Sequence, residues 1–177
     1  RGQGDTTIVK GPKNGNNETI FIAANNAIVE NLAITRDGNN VADWNNANGT
    51  LNLTGIQIGQ TQTGNTIQNC YIYGNRNAVY LNNAQGNTIQ NNMIDNNRTG
   101  VQLVNNVSNN QIKNNTITNN WTLGFVIYNS GTTRSVTGLT VEDNNISGNW
   151  YSQVECKTVS PVPDPYLTDT FDFVSNW

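Results

Sequence analysis

The segment Ile89-Gln90-Asn91-Asn92-Met93-Ile94 decides the fold, because variants of it recur along the chain. Each copy has an aliphatic residue, an Asn or Asp two positions later, and a second aliphatic residue five positions after the first. The other copies are residues 29–34, 67–72, 112–117 and 141–146. Where nothing is inserted the period is about 22 residues, which is the length of one coil of a β-solenoid.

A further strand pattern follows most of these copies. Aliphatic and other residues alternate in it, as expected of a strand with one face in the core. It occurs at residues 55–58, 78–81, 100–103, 124–127 and 153–156, and a partial first coil is found at residues 8 and 19–22. We therefore predict an all-β solenoid of about five full coils and one partial coil, in which Ile67, Ile72, Val79 and Leu81 point inward.

Charge and composition exclude several classes of partner. The net charge is −3 and the charged fraction is 12%, and no cluster of Lys or Arg occurs. We therefore expect no nucleic-acid partner. No apolar run approaches about 18 residues, so we expect no insertion into a membrane. The chain has no His and one Met, which leaves few ligands for a metal, and we expect neither a metal nor a cofactor.

The ends of the chain differ in composition and repeat pattern from its middle. Residues 1–157 are predicted to form the solenoid, and residues 158–177 a Pro-rich exit followed by a C-terminal cap or linker. Pro161, Pro163 and Pro165 mark this change, because Pro cannot donate ladder hydrogen bonds. Arg1 opens what looks like the middle of a coil, so we expect the chain to be a piece of a longer precursor.

Two columns of Asn run along the predicted rod. At a turn Asn tolerates the left-handed backbone region and offers its amide to the coils above and below. The columns are Asn31, Asn69, Asn91, Asn114 with Asp143, and Asp37 with Asn75, Asn97, Asn120, Asn149. We predict that each forms a structural ladder of hydrogen-bonded side chains.

The two cysteines are predicted to be free thiols. The repeat places Cys156 in the column of Leu81, Leu103 and Ile127, about three coils from Cys70. Strands of successive coils are about 4.8 Å apart, so the two Cα atoms are expected to lie on the order of 15 Å apart. That separation is beyond the reach of a disulfide.

The segments at residues 65–69, 87–92 and 110–115 give the chain a family resemblance. It resembles the right-handed parallel β-helix superfamily with Asn-rich, pectate-lyase-like repeats, over about residues 5–157. The resemblance implies a right-handed, single-stranded parallel β-helix. It also implies a secreted or cell-surface location, because the superfamily includes polysaccharide lyases, epimerases, phage tailspikes and surface-layer or adhesin-like proteins. The family's enzymatic signatures are missing: there is no His for an Asp-Pro-His motif, and the outward acids are dispersed.

One outward column has the chemistry to bind a glycan. It consists of Arg76, Arg98, Trp121 and Trp150, with Tyr151 beside the last. Guanidinium groups bind hydroxyls or carboxylates, and indole rings stack on sugars. A mixed column runs beside it, made of Phe21, Gln57, Tyr80, Gln102, Val126 and Glu155. In the loop at residues 38–53, Trp44 is a further candidate for recognition.

Taken together, these patterns favour a non-catalytic extracellular or cell-surface scaffold. We expect it to contact polysaccharide and to assemble end to end with other copies of itself into a filament or layer. An alternative is a polysaccharide lyase or epimerase fragment, for which Asp95 and Arg98 are the nearest acid and base. A further alternative is a phage tail-fibre or tailspike segment, which would be trimeric.

Overall fold

The computed structural model describes residues 7–12, 18–37, 54–129, 135–158 and 172–176. Together these residues contribute eighteen short strands. The strands are β1 Ile8–Gly11, β2 Ile20–Ile22, β3 Ile28–Glu30, β4 Ala33–Arg36, β5 Thr54–Ile58, β6 Thr66–Gln68, β7 Tyr71–Tyr73, β8 Asn77–Asn82, β9 Thr88–Gln90, β10 Met93–Asp95, β11 Thr99–Val104, β12 Gln111–Lys113, β13 Thr116–Thr118, β14 Leu123–Asn129, β15 Thr140–Glu142, β16 Asn145–Ser147, β17 Ser152–Thr158 and β18 Asp172–Val174. No helix long and apolar enough to cross a membrane occurs among these residues.

Every third strand belongs to the same sheet. Sheet A has the order β1-β4-β7-β10-β13-β16, sheet B the order β2-β5-β8-β11-β14-β17, and sheet C the order β3-β6-β9-β12-β15-β18. All pairings are parallel, as in Ile67 beside Ile89 and Leu81 beside Leu103. Three strands therefore make one coil, and the next coil stacks on it, which is a parallel β-helix with six strands in each sheet.

The core is a stack of aliphatic side chains inside the coils. Ile67, Ile72, Val79 and Leu81 all have an exposed fraction of 0%, as the alternation predicted. Their counterparts in the other coils continue the same columns, for example Ile94 and Ile117 above Ile72. Truncating one of these side chains to Ala would cost about 2 to 5 kcal/mol of stability.

Asn supports the sharp bend between strands at two neighbouring positions. One residue of each bend has a left-handed backbone, for example Asn91 with φ 56° and Asn96 with φ 53°. The next residue, Asn92 or Asn97, turns its amide into the rod, where it is buried. Asn suits a turn because it tolerates a left-handed backbone and because its amide forms hydrogen bonds. Here the first residue of each Asn pair provides the left-handed backbone and the second provides the hydrogen-bonding amide.

The second predicted ladder is present from Asn75 onward, whereas Asp37, predicted to be its first member, forms an ion pair with Lys10 at 3.0 Å instead. The side-chain oxygen of Asn97 accepts hydrogen bonds from the backbone N–H and side-chain amide of Asn75, at 3.0 and 3.2 Å. The same pair of bonds links Asn97 to Asn120 and Asn120 to Asn149. Each amide also donates to a backbone carbonyl of the preceding coil, as Asn97 does to Ile72 at 2.9 Å.

The first predicted ladder is wrong by one residue. Asn31, Asn69, Asn91, Asn114 and Asp143 are the left-handed residues of their bends, with φ between 53° and 57°. In three of these bends the hydrogen-bonded amide belongs to the next residue, namely Asn92, Asn115 and Asn144. Asn176 continues this ladder in the last coil. Cys70 fills this position in an earlier coil and donates its backbone N–H to Asn92 at 3.0 Å.

A third ladder was not predicted. It lies at the bend that leads into sheet C and links Asn65, Asn87 and Asn110. All three side chains are buried. The described part of the rod is therefore bounded at three edges by amide ladders, each running from coil to coil.

The C-terminal residues that the structure describes continue the rod. β18 pairs with β15 in sheet C, and Asn176 extends a ladder. The proposed boundary at residue 158 adjoins residues that are not described, so the division into helix and cap or linker stays a prediction. Both cysteines are free, Cys70 buried and Cys156 exposed, and Cys156 pairs with Ile127 as the repeat predicted.

Candidate functional site

A long groove lies on the outer face of sheet B. Its volume is about 730 Å³, and it extends from Glu18 beside the first coil to Glu155 in the sixth. Four strands of this sheet, β8, β11, β14 and β17, have six or seven residues, so they offer two outward side chains per coil. Between its two ends the groove is lined by Gln57, Tyr80 and Gln102, which were predicted to form a separate mixed column.

Arg76 and Arg98 line the same groove, one coil apart. The backbone N–H of Thr99 donates to the carbonyl of Arg76 at 2.8 Å, which fixes the two arginines in neighbouring coils. Both side chains are partly buried. Burial, together with repulsion by Arg98, lowers the pKa of Arg76 to about 10, and burial also lowers the pKa of Arg98. Two positive charges in neighbouring coils favour the approach of an anion.

The aromatic residues of the predicted column take different places. Trp121 and Trp150 stack on each other, with ring centroids 5.1 Å apart and an interplanar angle of 12°. Neither lines the groove, whereas Tyr151 does. Trp150 and Tyr151 are 72% and 70% exposed, and their ring centroids are 6.5 Å apart with an interplanar angle of 44°. Trp44 lies outside the described residues.

An extra residue explains why the two tryptophans leave the line of the arginines. Four positions separate Asn97 from Val101, whereas five separate Asn120 from Phe125, although Val101 and Phe125 pair. The additional residue changes the turn before sheet B in this coil. Thr122, the residue after Trp121, then lines the groove and donates its hydroxyl to the Arg98 carbonyl at 2.7 Å.

Tyr80 forms part of the floor of the groove. Burial raises the pKa of its phenol, and the nearby charge of Glu18 adds to this effect. The phenol therefore stays protonated at neutral pH and can donate a hydrogen bond. Tyr80 lies between Gln57 and Gln102 of the adjacent coils, and the three form a row of uncharged polar side chains with one member in each coil.

Among the described residues that line the groove, no two carboxylates form a pair. Glu18 and Glu155 lie at opposite ends, about five coils or roughly 24 Å apart at the strand spacing. Glycoside hydrolysis with two carboxylates needs them about 5 to 10 Å apart. In the described part of the chain, no three His, Cys, Asp or Glu residues come together as a metal site.

The acid and base proposed for a lyase are not brought together. Asp95 is on sheet A, where its carboxylate accepts hydrogen bonds from Thr118 at 3.0 Å and Asn119 at 2.8 Å. Arg98 lies past the next bend, in the groove of sheet B. The pair therefore does not form a site, because its members face different sides of the rod.

The comparison with protein families agrees with this architecture. The model for the right handed beta helix region matches residues 12–160. The chain belongs to this right-handed β-helix family. No curated protein and no solved structure matches it significantly.

Within this β-helix, three features were not predicted from the sequence. The first is that Arg76 and Arg98 line the same groove as Gln57, Tyr80 and Gln102 of the mixed column. The second is Arg36, which is 6% exposed and donates to the carbonyl of Pro12 at 2.7 Å. The third is Gln153, whose side-chain oxygen accepts from Asn149 at 3.1 and 2.8 Å and so ends the second ladder.

Proposed function

We propose that this right-handed β-helix is a non-catalytic scaffold, secreted or at the cell surface, that binds an extended glycan in the groove of sheet B. The observation that carries the proposal is the groove itself. It crosses successive coils, and in the second to fourth coils one outward position holds uncharged polar side chains in register, namely Gln57, Tyr80 and Gln102. A repeating surface of this sort suits a repeating ligand.

The side chains of the groove fit sugars. The amides of Gln57 and Gln102 each offer donors and an acceptor, as a row of hydroxyls requires. Tyr80 and Tyr151 add aromatic surface with a polar tip. The arginines add donors arranged as forks, which bind hydroxyl and carboxylate oxygens well. A concave site with few apolar residues favours such a polar ligand over a drug-like apolar one.

The separation of the carboxylates supports binding without turnover. Glu18 and Glu155 are too far apart to act on one glycosidic bond, and Asp95 faces another sheet. A lyase or epimerase fragment is the alternative, and its catalytic residues would have to come from outside the described residues.

The test is a panel of neutral and acidic polysaccharides. We expect retention of at least one glycan and no release of reducing or unsaturated ends. Gln102→Trp should block the middle of the groove and abolish retention. Gln90→Trp is the matched control, because Gln90 occupies an outward position on sheet C, away from the groove. Product formation would overturn the non-catalytic assignment, and equal retention by both variants would overturn the groove as the binding site.

End-to-end assembly is a second candidate function, favoured by one observation. Among the described residues, β1, β2 and β3 have a strand neighbour on one side only. Ile8, Phe21 and Ile28 on these strands are 55%, 53% and 63% exposed. A free parallel edge can accept another coil. Sedimentation should show oligomers that grow with concentration. Monomers at every concentration would contradict assembly, and discrete trimers would instead favour the tailspike alternative.

A further inference from the structure

The charged residues described in the groove have an ordered arrangement, with a carboxylate at each end and two arginines between them. Glu18 is beside the first coil, Arg76 and Arg98 are in the third and fourth coils, and Glu155 is in the sixth. The two arginines occupy the centre, and each carboxylate lies about two coils, or roughly 10 Å, beyond them. The intervening lining is uncharged, for example Gln57 on one side and Val126 on the other.

The central pair of arginines favours a negative charge. Burial and, to a smaller extent, repulsion by the neighbouring Arg98 lower the pKa of Arg76. Arg98 forms no ion pair with any described residue. An anionic group placed between the two arginines would relieve their repulsion and form charge-assisted hydrogen bonds with both.

The terminal carboxylates limit how many negative charges the ligand can carry. A polymer with a negative charge on every unit would bring charges close to Glu18 and Glu155 as well as to the arginines. Like charges brought together in a partly desolvated groove oppose binding, and such repulsive contacts are a source of specificity. The net charge of −3 adds a general repulsion of polyanions.

We infer that the ligand is a glycan with sparse acidic groups, in which one or two neighbouring anionic substituents bind Arg76 and Arg98 while neutral sugars lie over the rest of the groove. This inference rests on the proposed function, because it names the class of glycan that the same groove takes. It distinguishes a polymer of alternating acidic and neutral sugars both from a neutral glycan and from a uniformly acidic one.

Three polysaccharides of graded charge test the inference. They are dextran, which is neutral, hyaluronan, which alternates acidic and neutral sugars, and polygalacturonate, which is acidic at every residue. We expect the protein to bind hyaluronan most tightly, with an affinity that falls as salt is added. Arg76→Gln and Arg98→Gln should each weaken this binding about tenfold or more. Lys113→Gln is the control, because it removes the same charge from sheet C.

The carboxylates provide the sharper test. Replacing both Glu18 and Glu155 by Gln should raise the affinity for polygalacturonate. The difference between the affinities for hyaluronan and polygalacturonate should therefore become smaller. Glu142→Gln, on sheet C, should leave both affinities unchanged. The melting temperature of every variant is measured, so that a loss of binding is read only from folded protein.

Each other outcome has a defined meaning. Equal binding of dextran and hyaluronan, or unchanged hyaluronan binding in the arginine variants, overturns the charge inference while glycan binding in the groove still stands. Tighter binding of polygalacturonate than of hyaluronan by the unaltered protein also overturns it. Tighter binding of single-stranded DNA than of any glycan would show a different class of polymer. If no glycan binds, the proposed function and the inference fall together.

Discussion

Replacing Asn97 by Ala removes one amide from the middle of a buried ladder. Its side chain takes part in five hydrogen bonds, to Asn75 twice and to Ile72, Asp95 and Asn120. The backbone N–H of Asn75 loses the only acceptor shown for it, and it stays buried. A buried polar group left unpaired costs about 1 to 3 kcal/mol, and the other lost bonds about 0.5 to 1 kcal/mol each. We expect a total of about 3 to 7 kcal/mol.

Asn114→Ala is the matched comparison. Asn114 was predicted to be a ladder residue, yet it is exposed and holds a left-handed backbone with φ 54°. Its replacement by Ala should cost only about 1 kcal/mol, because Ala is less tolerant of this backbone region. Asn114→Gly should recover most of that loss, since Gly adopts positive φ freely.

Thermal unfolding followed by circular dichroism separates the two cases. For a chain of this size 1 kcal/mol shifts the melting temperature by about 2 to 4 °C. We therefore expect Asn97→Ala to melt about 10 °C below the unaltered protein and Asn114→Ala about 3 °C below. Equal shifts for the two variants, or a shift under about 3 °C for Asn97→Ala, would refute the division of roles between adjacent residues of the turn.

Three further predictions concern single residues of the rod. Cys70→Asn should raise the urea midpoint by an amount equivalent to about 1 kcal/mol, because the new amide can donate to Asn92; a lower midpoint would contradict this. A thiol reagent should label exposed Cys156 before buried Cys70; equal rates would count against the packing. Both rates should rise with pH because the thiolate is the reactive form, and the rise should come at a higher pH than for a free cysteine because burial raises both thiol pKa values. Gly100→Ala should cost about 1 to 3 kcal/mol, because its Cβ would overlap the carbonyl oxygen of Gly124; an unchanged melting temperature would argue against that close contact.

The sequence predicted the coils well because each inward column depends on one simple property. Ile67, Ile89 and Ile112 must be apolar in every coil, so their spacing identifies both the strands and their pairing. The first ladder was misplaced for an equally simple reason. Asn91 and Asn92 are both Asn, and the pattern does not distinguish a residue that bends the backbone from one that presents its amide. Cys70 obscured the difference further by interrupting the true column.

The groove was harder to predict than the rod. Arg76 and Arg98 were identified as candidates, but their position relative to Tyr80 and Gln102 depends on how the turn presents its side chains. The displacement of Trp121 was recognisable in principle, as one extra residue between Asn120 and Phe125. Its effect on the direction of the side chain follows from backbone geometry that a linear pattern does not contain.

The hydrogen bonds that join one ladder Asn to the next all point the same way. Each Asn oxygen accepts from the preceding coil, so the buried backbone N–H of a ladder Asn finds its acceptor only when the next coil is in place. A chain that emerges from the ribosome N-terminus first therefore always carries a growing end with unmet donors, and every newly made coil resolves the deficit of the one before it. Gln153 ends one such series from within its own coil by folding back onto Asn149. These ladder bonds thus form in the same direction as synthesis along this rod. A coil inserted in the middle by duplication would accept a hydrogen bond from the Asn N–H of the coil before it and donate one to the Asn oxygen of the coil after it.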